Sequence, residues 1–471
     1  MDLISSQRMV EDVQILSSPA FNGRQTGTPD DLASAEFVRH RFLWPNRAQP
    51  ALPESRTESA QAHESIRIQS TLHRPTMIGE DSFLRLAIND DSLPDQIGPD
   101  YLPVLDSPSA GVQAPVVFVG YGISDPEGGF DEYAGLDVHN KVVLFLRGKP
   151  ERYSKQVSHA DKAHAAHAHG ARAYLTATGP ILNTYEARRG VTGKPSAFYG
   201  LTDPHRTIPG AWISTTRAMA ILDGGRAAHN DGLRTLQQHL NDGLTPQSIA
   251  TDTLVTMRWH SAEQDGLLHN VTCILPGRDQ AKAEEAIVIG AHRDHFGKQG
   301  GLLFAGADDN ASGTAVLLEV ARVLQTIPLK PKRSIVLISF SGEEQGLLGS
   351  KFYISQPAVP VRSTLTMINV DHAAVGNGRL TIGVTGMDKA AAQQAGQVAG
   401  LGDRLDVFGF FPGGDHVPFK EAGIPTVTVV SGGVHPHFHQ PTDTAETVNP
   451  DILAAAARYV LAMLWQLAEA P

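Results

Sequence analysis

The carboxy-terminal half of the chain alternates short apolar runs with longer amphipathic ones. AIVIGA (286–291), SIVLISF (334–340), LTMINVD (365–371), RLTIGVTG (379–386) and PTVTVVSG (425–432) are rich in β-branched residues and end in glycine or polar groups, the pattern of buried strands. Between them SGTAVLLEVARVLQTI (312–327) places apolar residues at helical spacing and stops before Pro328, and DILAAAARYVLAMLWQLAEA (451–470) does the same after Pro450. Strands alternating with helices in this way predict an α/β fold, a mostly parallel central sheet flanked by helices.

Upstream, PVVFVGYG (115–122) and KVVLFLRG (141–148) predict further strands and HADKAHAAHAHGA (159–171) a helix, together a second, smaller α/β unit. SAEFVRHRFL (34–43) reads as a helix, and the Pro-rich, polar stretch 44–66 as a connection. The changes of pattern divide the chain into an amino-terminal segment at 1–111, an inserted unit at 112–250 and a core at 251–471. A length of 471 residues suits two domains of ordinary size.

Composition narrows the function classes. Hydrophobic residues at 41% and charged residues at 19% are those of a folded globular chain. A net charge of -11, with no run rich in Lys and Arg, excludes nucleic acid as a partner. The single Cys273 stands in the apolar stretch NVTCILPG and reads as a small core residue; alone it forms no disulfide framework. The start, MDLISSQRMVEDV, has neither the basic nor the apolar part of a signal peptide, and no run reads as a membrane span of about 18 apolar residues. His159, His164, His167 and His169 have no carboxylates clustered with them and read as a solvated helix face.

Ligands of an open parallel sheet gather at the carboxyl ends of its strands, and here those ends are unusually polar. After AIVIGA come His292 and Asp294, and the next loop, GADDNASG, supplies Asp308 and Asp309. SIVLISF is followed by Gly342, Glu343 and Glu344; LTMINV ends in Asp371; PTVTVV leads to His435, His437, His439 and Asp443. Each residue has a plain structural reading, Asp309 as a cap for the helix behind it, for example. Together, carboxylates on one rim repel one another unless a cation sits among them. Imidazoles and carboxylates without thiolate suit catalytic zinc, with manganese or cobalt tolerated, and the surplus of donors suits two ions sharing a carboxylate.

GAHRDH, GADDNASGTA, SGEEQGLLGS, NVD and HxxxDT, in this order and spacing, resemble the co-catalytic di-zinc peptidases of family twenty-eight, which include bacterial leucyl aminopeptidases and glutamate carboxypeptidase II. The resemblance implies two Zn2+ per chain: His292 and Asp371 on one, Glu344 and His439 on the other, and Asp309 bridging them. It implies Glu343 as general base and Asp294 as the carboxylate that orients His292, with Asp308 and Asp443 also supporting the ligands. VVFVGYGISDP and DEYAGLDVHNKVVLFLRG (116–148) look like the protease-associated domain that many members carry as an insertion.

The implied activity is that of an exopeptidase acting on peptides, an aminopeptidase first. Phe408, Phe410 and Phe411 in VFGFFPGGDHVPF (407–419) are expected to line an apolar pocket for the substrate's first side chain. A carboxypeptidase or dipeptidase is the alternative, and would need a cation such as Arg24, Arg293 or Arg404 for the substrate carboxylate. A receptor-like binding protein is disfavoured by the filled ligand positions, and a one-zinc glutaminyl cyclase by the His292 and Asp371 pair. The resemblance further implies an exported protein, periplasmic or extracellular, whose leader is absent from this chain; a complete chain would be cytoplasmic. Oligomeric state has no signature in the sequence. Some family members place a tyrosine beside the last zinc histidine, whereas His439 lies between Phe438 and Gln440.

Overall fold

The apolar runs of the carboxy-terminal half form one eight-stranded sheet in a computed structural model, which describes residues 3–46, 65–88, 91–92, 95–183, 186, 191–223, 232–243 and 245–471. Its strands are β1 (Ile66–His73), β2 (Gly266–Leu275), β3 (Ala286–His292), β4 (Ser334–Phe340), β5 (Thr364–Val370), β6 (Leu380–Thr385), β7 (Leu405–Phe408) and β8 (Thr426–Ser431). They lie in the order β1-β2-β4-β3-β5-β8-β6-β7. The central four, β4, β3, β5 and β8, run parallel. β2 is antiparallel to β1 and β4, and β6 to β8.

The central strands are buried at every position but Leu365, because both faces of the sheet are covered. Ile287, Ile289 and Ala291 of β3, with Ile335 and Leu337 of β4, face a core shared with α1 (Ser6–Leu16), α2 (Pro29–Leu43) and α3 (Gly313–Thr326). Val288, Val336, Ile338 and Met367 face the opposite way, onto Tyr353 of α4 (Leu348–Ser355) and Phe419 of α6 (His416–Glu421). Strand and helix bounds differ from the expected ones only at the ends, where hydrogen bonding frays.

The last helix, α7 (Pro450–Glu469), corrects the reading that no segment is long and apolar enough to span a membrane. By length and composition it is, with a mean hydropathy of 1.3. It is a core helix, with 72% of its apolar window buried. Asn449 caps it by accepting from the Asp451 N–H, Pro450 takes the first turn, and its faces meet α1, α3 and α5 (Lys389–Val398).

The chain divides into two compact units: Met1–Pro75, Gln264–Gly297 and Leu303–Pro471 form one, and Thr76–Glu263 with Lys298–Leu302 the other. The second has its own eight-stranded sheet, in which Val142–Leu146 lies between Ala110–Phe118 and Ala173–Ala177, parallel to both. The divisions expected at 111/112 and 250/251 are therefore misplaced. Ile249–Trp259 is one strand of the second sheet, paired with Ala110–Phe118 on one side and Phe83–Ile88 on the other. Its Val255, Met257 and Trp259 are buried in alternation, so a cut at 251 passes through a half-buried strand. The expected helix is present as His159–Ala168, with Ser158 and Asp161 forming a capping box. Of the stretch 44–66 read as a connection, residues 47–64 lie outside the described residues.

Candidate metal centre

Five chain segments deliver donors to the carboxyl rim of the first sheet. β3 ends in His292, followed by Arg293, Asp294 and His295, all buried. Behind them lies a covalently remote clamp. Arg24 is fully buried and donates from Nε to the Arg293 carbonyl (2.6 Å), from Nη1 to the Leu16 (2.5 Å) and Ala305 (2.8 Å) carbonyls, and from Nη2 to that of Gly306 (2.8 Å). It thereby ties the His292 loop to the Asp308 and Asp309 loop. Gly306 has φ +60°, and a Cβ there would stand 2.3 Å from the Asp309 carbonyl oxygen and 2.6 Å from His295 Cγ, so only glycine fits the approach.

Asp443 fixes the same loop from the other end, its Oδ1 accepting from the Asp308 N–H (2.8 Å) and its Oδ2 from that of Asp309 (3.0 Å). After β4, Gly342 at φ +77° turns the chain so that the Glu343 and Glu344 amides donate to the two oxygens of Asp294, at 3.3 and 3.4 Å. Asp294 thus positions the glutamates. Toward His292 its backbone carbonyl, at 3.2 Å from Nδ1, is nearer than its carboxylate, at 3.6 Å. Either contact sets that ring so that Nε2 faces the rim.

At the rim Asp309 stands between two imidazoles. Its Oδ1 is 3.4 Å from His292 Nε2, and its Oδ2 is 3.0 Å from His439 Nε2. Asp371 Oδ1 lies 3.3 Å from His292 Nε2, and Glu344 Oε2 lies 3.5 Å from His439 Nε2. The structure therefore brings His292, Asp309, Glu344, Asp371 and His439 together, with Asp309 in the middle. His292, Asp309 and Asp371 form one group whose ligand atoms lie within 4.8 Å of one another, and His295, Asp309 and Glu344 form another.

Three residues in this cluster were not singled out from the sequence. His295 Nδ1 is 2.7 Å from Glu344 Oε1, while its Nε2 is buried with no hydrogen-bond partner among the described residues. His372 follows Asp371, and its Nε2 stands 3.6 Å from Asp371 Oδ1 and 3.8 Å from Asp309 Oδ2. Asp415 is fully buried beside these groups, at the start of α6. His295 and His372 were visible only as neighbours of residues already counted, and Asp415 in the DHVPF segment carried no strand-end signal.

The electrostatics are those of a site built for positive charge. Burial pushes Glu343 well above the carboxylate range, with Asp371 and Asp415 adding to the shift against His292. Burial, Asp309 and Glu343 do the same to Glu344. Burial and Asp308 bring Asp443 up to about 8, and burial brings Asp415 up to about 7. Burial also opposes ionisation of Asp309, but His372 and His439 outweigh it and hold that carboxyl well below its usual value. A divalent cation relieves such crowding without taking up protons. The donors present, imidazole and carboxylate, fit zinc. Cys273 supplies no thiolate: it is buried in β2, and burial pushes its thiol up to about 12.

Phe408 and Phe410 are 47% and 44% exposed near the β7 edge strand, where Lys420 lies over the Phe410 ring. Phe411 accepts at its carbonyl from His416 Nε2. Two aromatic rings stand beside the candidate ligands: Phe438, stacked on His439 at 3.7 Å and 5.0 Å from His372, and Phe296, 4.7 Å from His439. Phe438 lines a small cavity with Asp308, Asp309, His372 and His435.

Fold and rim together describe an α/β domain organised around a shared carboxylate. Residues 270–464 match the model of Peptidase family M28. Aminopeptidase YwaD of Bacillus subtilis (strain 168) is 31% identical over 172 residues, 34% of this chain and 37% of that protein. The probable glutamate carboxypeptidase VP8 of Zea mays is 27% identical over 373 residues, 72% of this chain and 50% of that protein. The chain thus spans half or less of the length of these two relatives. The solved aminopeptidase from Aneurinibacillus sp. strain AM-1 shares the fold, with a TM-score of 0.69 over 100% of this chain and 95% of that one at 21% identity.

Proposed function

We propose that the protein is a zinc-dependent exopeptidase with two ions per chain, and that it removes residues from the amino terminus of peptides. The observation that carries the reading is Asp309, whose two oxygens face His292 on one side and His439 on the other. A carboxylate so placed would serve two ions at once. His292 and Asp371 would hold one, and Glu344 and His439 the other, with His295 a second imidazole in reach of Glu344.

When bound, the ions supply Lewis acidity to the attacking water and to the scissile carbonyl. This chain's residues supply the rest. Glu343, beside the rim, takes the proton of the attacking water and returns it to the leaving amine. Asp294 holds the Glu343 and Glu344 amides, which fixes where both carboxylates stand. Phe438 has no donor to offer the developing oxyanion, so a tyrosine hydroxyl beside His439 plays no part here.

The choice of terminus rests on charge. Carboxylates crowd the rim and suit a substrate ammonium. The arginines that a carboxypeptidase reading requires are committed elsewhere. Arg24 is spent on four carbonyls, and Arg293 is fully buried on Asp31 Oδ1 (2.5 Å), Ser34 and backbone carbonyls. Arg404 is exposed, at the approach to β7. The separate unit at Thr76–Glu263 is proposed as the protease-associated insertion.

Aminoacyl chromogenic amides assayed beside amino-terminally blocked peptides on zinc-loaded protein test this. Cleavage of the free-amine substrates alone supports the proposal. Release of carboxy-terminal residues from blocked peptides would assign the protein to the carboxypeptidase alternative.

A further inference from the structure

Beside the Asp309 cluster lies a second meeting of imidazole and carboxylate that the peptidase chemistry leaves unused. Asp308 points away from Asp309, its Oδ1 accepting from the Ala374 N–H (2.9 Å) and its Oδ2 standing 2.7 Å from His435 Nδ1 and 3.8 Å from His372 Nδ1. The three ligand atoms lie within 4.8 Å of one another. We infer that Asp308, His372 and His435 form a further divalent-metal site, of the zinc type.

The tautomer of His435 supports this. Its Nε2 is 3.1 Å from the Ser431 carbonyl, which can only accept, so Nε2 carries a hydrogen. A metal-ligating histidine characteristically donates its second N–H to a backbone carbonyl in this manner. His435 Nδ1 then faces Asp308 Oδ2 at 2.7 Å, a contact that a proton bridges in the metal-free protein and that a bound ion would replace. His372 supplies the third donor from the facing loop. Its distance of 3.8 Å is too long for a hydrogen bond, but suits two ligands on one ion with bonds of about 2.0–2.2 Å. Ser431 holds both histidines in place, since its N–H donates to the His372 carbonyl at 2.8 Å while its own carbonyl receives His435.

Two imidazoles and one carboxylate select a borderline-soft ion such as Zn2+ over Ca2+ or Mg2+, which prefer oxygen alone. Three protein ligands leave a fourth position open. The side chains of His372 and His435 are 17% and 14% exposed, against 3% for Asp309, so this ion would exchange with solvent more readily than those on the shared carboxylate. The inference does not depend on which bond the protein cleaves.

The test is metal stoichiometry, with no activity assay. Metal-free protein is dialysed against rising buffered free Zn2+ and the bound metal is counted. The wild type should saturate at three equivalents, the last weaker than the others. His435→Gln should weaken that last equivalent by at least about tenfold, the scale on which even indirect ligand partners matter, and leave the tight ones unchanged. His439→Gln should instead lose a tight equivalent and keep the weak one. Should His435→Gln fail to fold, His372→Gln takes its place. Co2+ titration adds a second measurement: the final equivalent should give its own d–d absorption, absent from the variant. Saturation of the wild type at two equivalents, or a third that survives in both His435→Gln and His372→Gln, would falsify the inference.

Discussion

The two eight-stranded sheets are built alike and use buried charge in opposite ways. In the second unit three buried ionisable groups, Glu132, Lys162 and Asp106, are absorbed by the backbone. Glu132 accepts from the Tyr121 and Ile123 amides at 2.9 Å, Lys162 donates to the Leu146 carbonyl at 2.8 Å, and Asp106 accepts from Gly200 and Leu201 at 2.7 Å. In the first unit the carboxylates at the strand ends face imidazoles and one another. Burial perturbs both sets: Glu132 rises to about 7 and Lys162 falls to about 7. A shifted pKa in a buried group therefore does not mark a site by itself. What marks it is donors that converge on one another and leave a charge unbalanced.

That contrast can be broken in measurable steps. Chelation should remove activity completely and lower the melting temperature of the first unit alone, because a bound ion stabilises only the fold that holds it; Zn2+ or Co2+ should restore both. Calorimetry showing both units shifted equally would remove the distinction. Next in size, Glu343→Gln should cut kcat by about 10²–10⁴-fold, the usual contribution of a general base. Its metal content and substrate affinity should stay at wild-type values. Loss of an ion from Glu343→Gln but not from Glu344→Gln would exchange the two roles.

In the second unit, Glu132→Gln leaves a buried amide short of an acceptor and should cost about 1–3 kcal/mol in stability, with metal content unchanged. Unaltered stability by denaturant titration would mean that the carboxylate is dispensable. The smallest effect concerns acid. His159 is not on the solvated helix face expected for it: it packs on Tyr174 and Phe198, and burial holds it down at about 3, against 6.5 for a free imidazole. Below pH 6.5 the unfolded chain takes up a proton that the folded one refuses, so stability falls as pH falls from 6.5 toward 3. His159→Gln should flatten that limb by at most one proton, read as the slope of unfolding free energy against pH.

The central strands were legible because a sheet covered on both faces needs unbroken apolar runs, and AIVIGA and SIVLISF have no other stable place. The candidate ligands followed, since His292, Glu344 and Asp371 stand at the ends of such runs and Asp309 and His439 in the loops behind them. His295 and His372 were obscured by adjacency: one strand end was read as one or two donors, whereas the loop after β3 delivers three. The unit boundary was missed because Ile249–Trp259 alternates instead of running apolar, and begins in a polar stretch. The length and hydropathy of α7 went unremarked, since sequence alone says nothing of the helices packed around it.

Arg24 has a consequence for how the protein is made. During synthesis it leaves the ribosome long before Arg293, Ala305 and Gly306, whose carbonyls it will grip. The intervening stretch includes Thr76–Glu263, which holds nearly all of the other unit. That unit can complete its sheet while the first is still missing most of its strands, since domains fold as they emerge. The first 43 residues must wait, carrying a guanidinium and two amphipathic helices with nothing to cover them. Assembly of the metal-ligand loops is therefore a late, long-range event, and its speed is set by the return of the nascent chain to its own beginning.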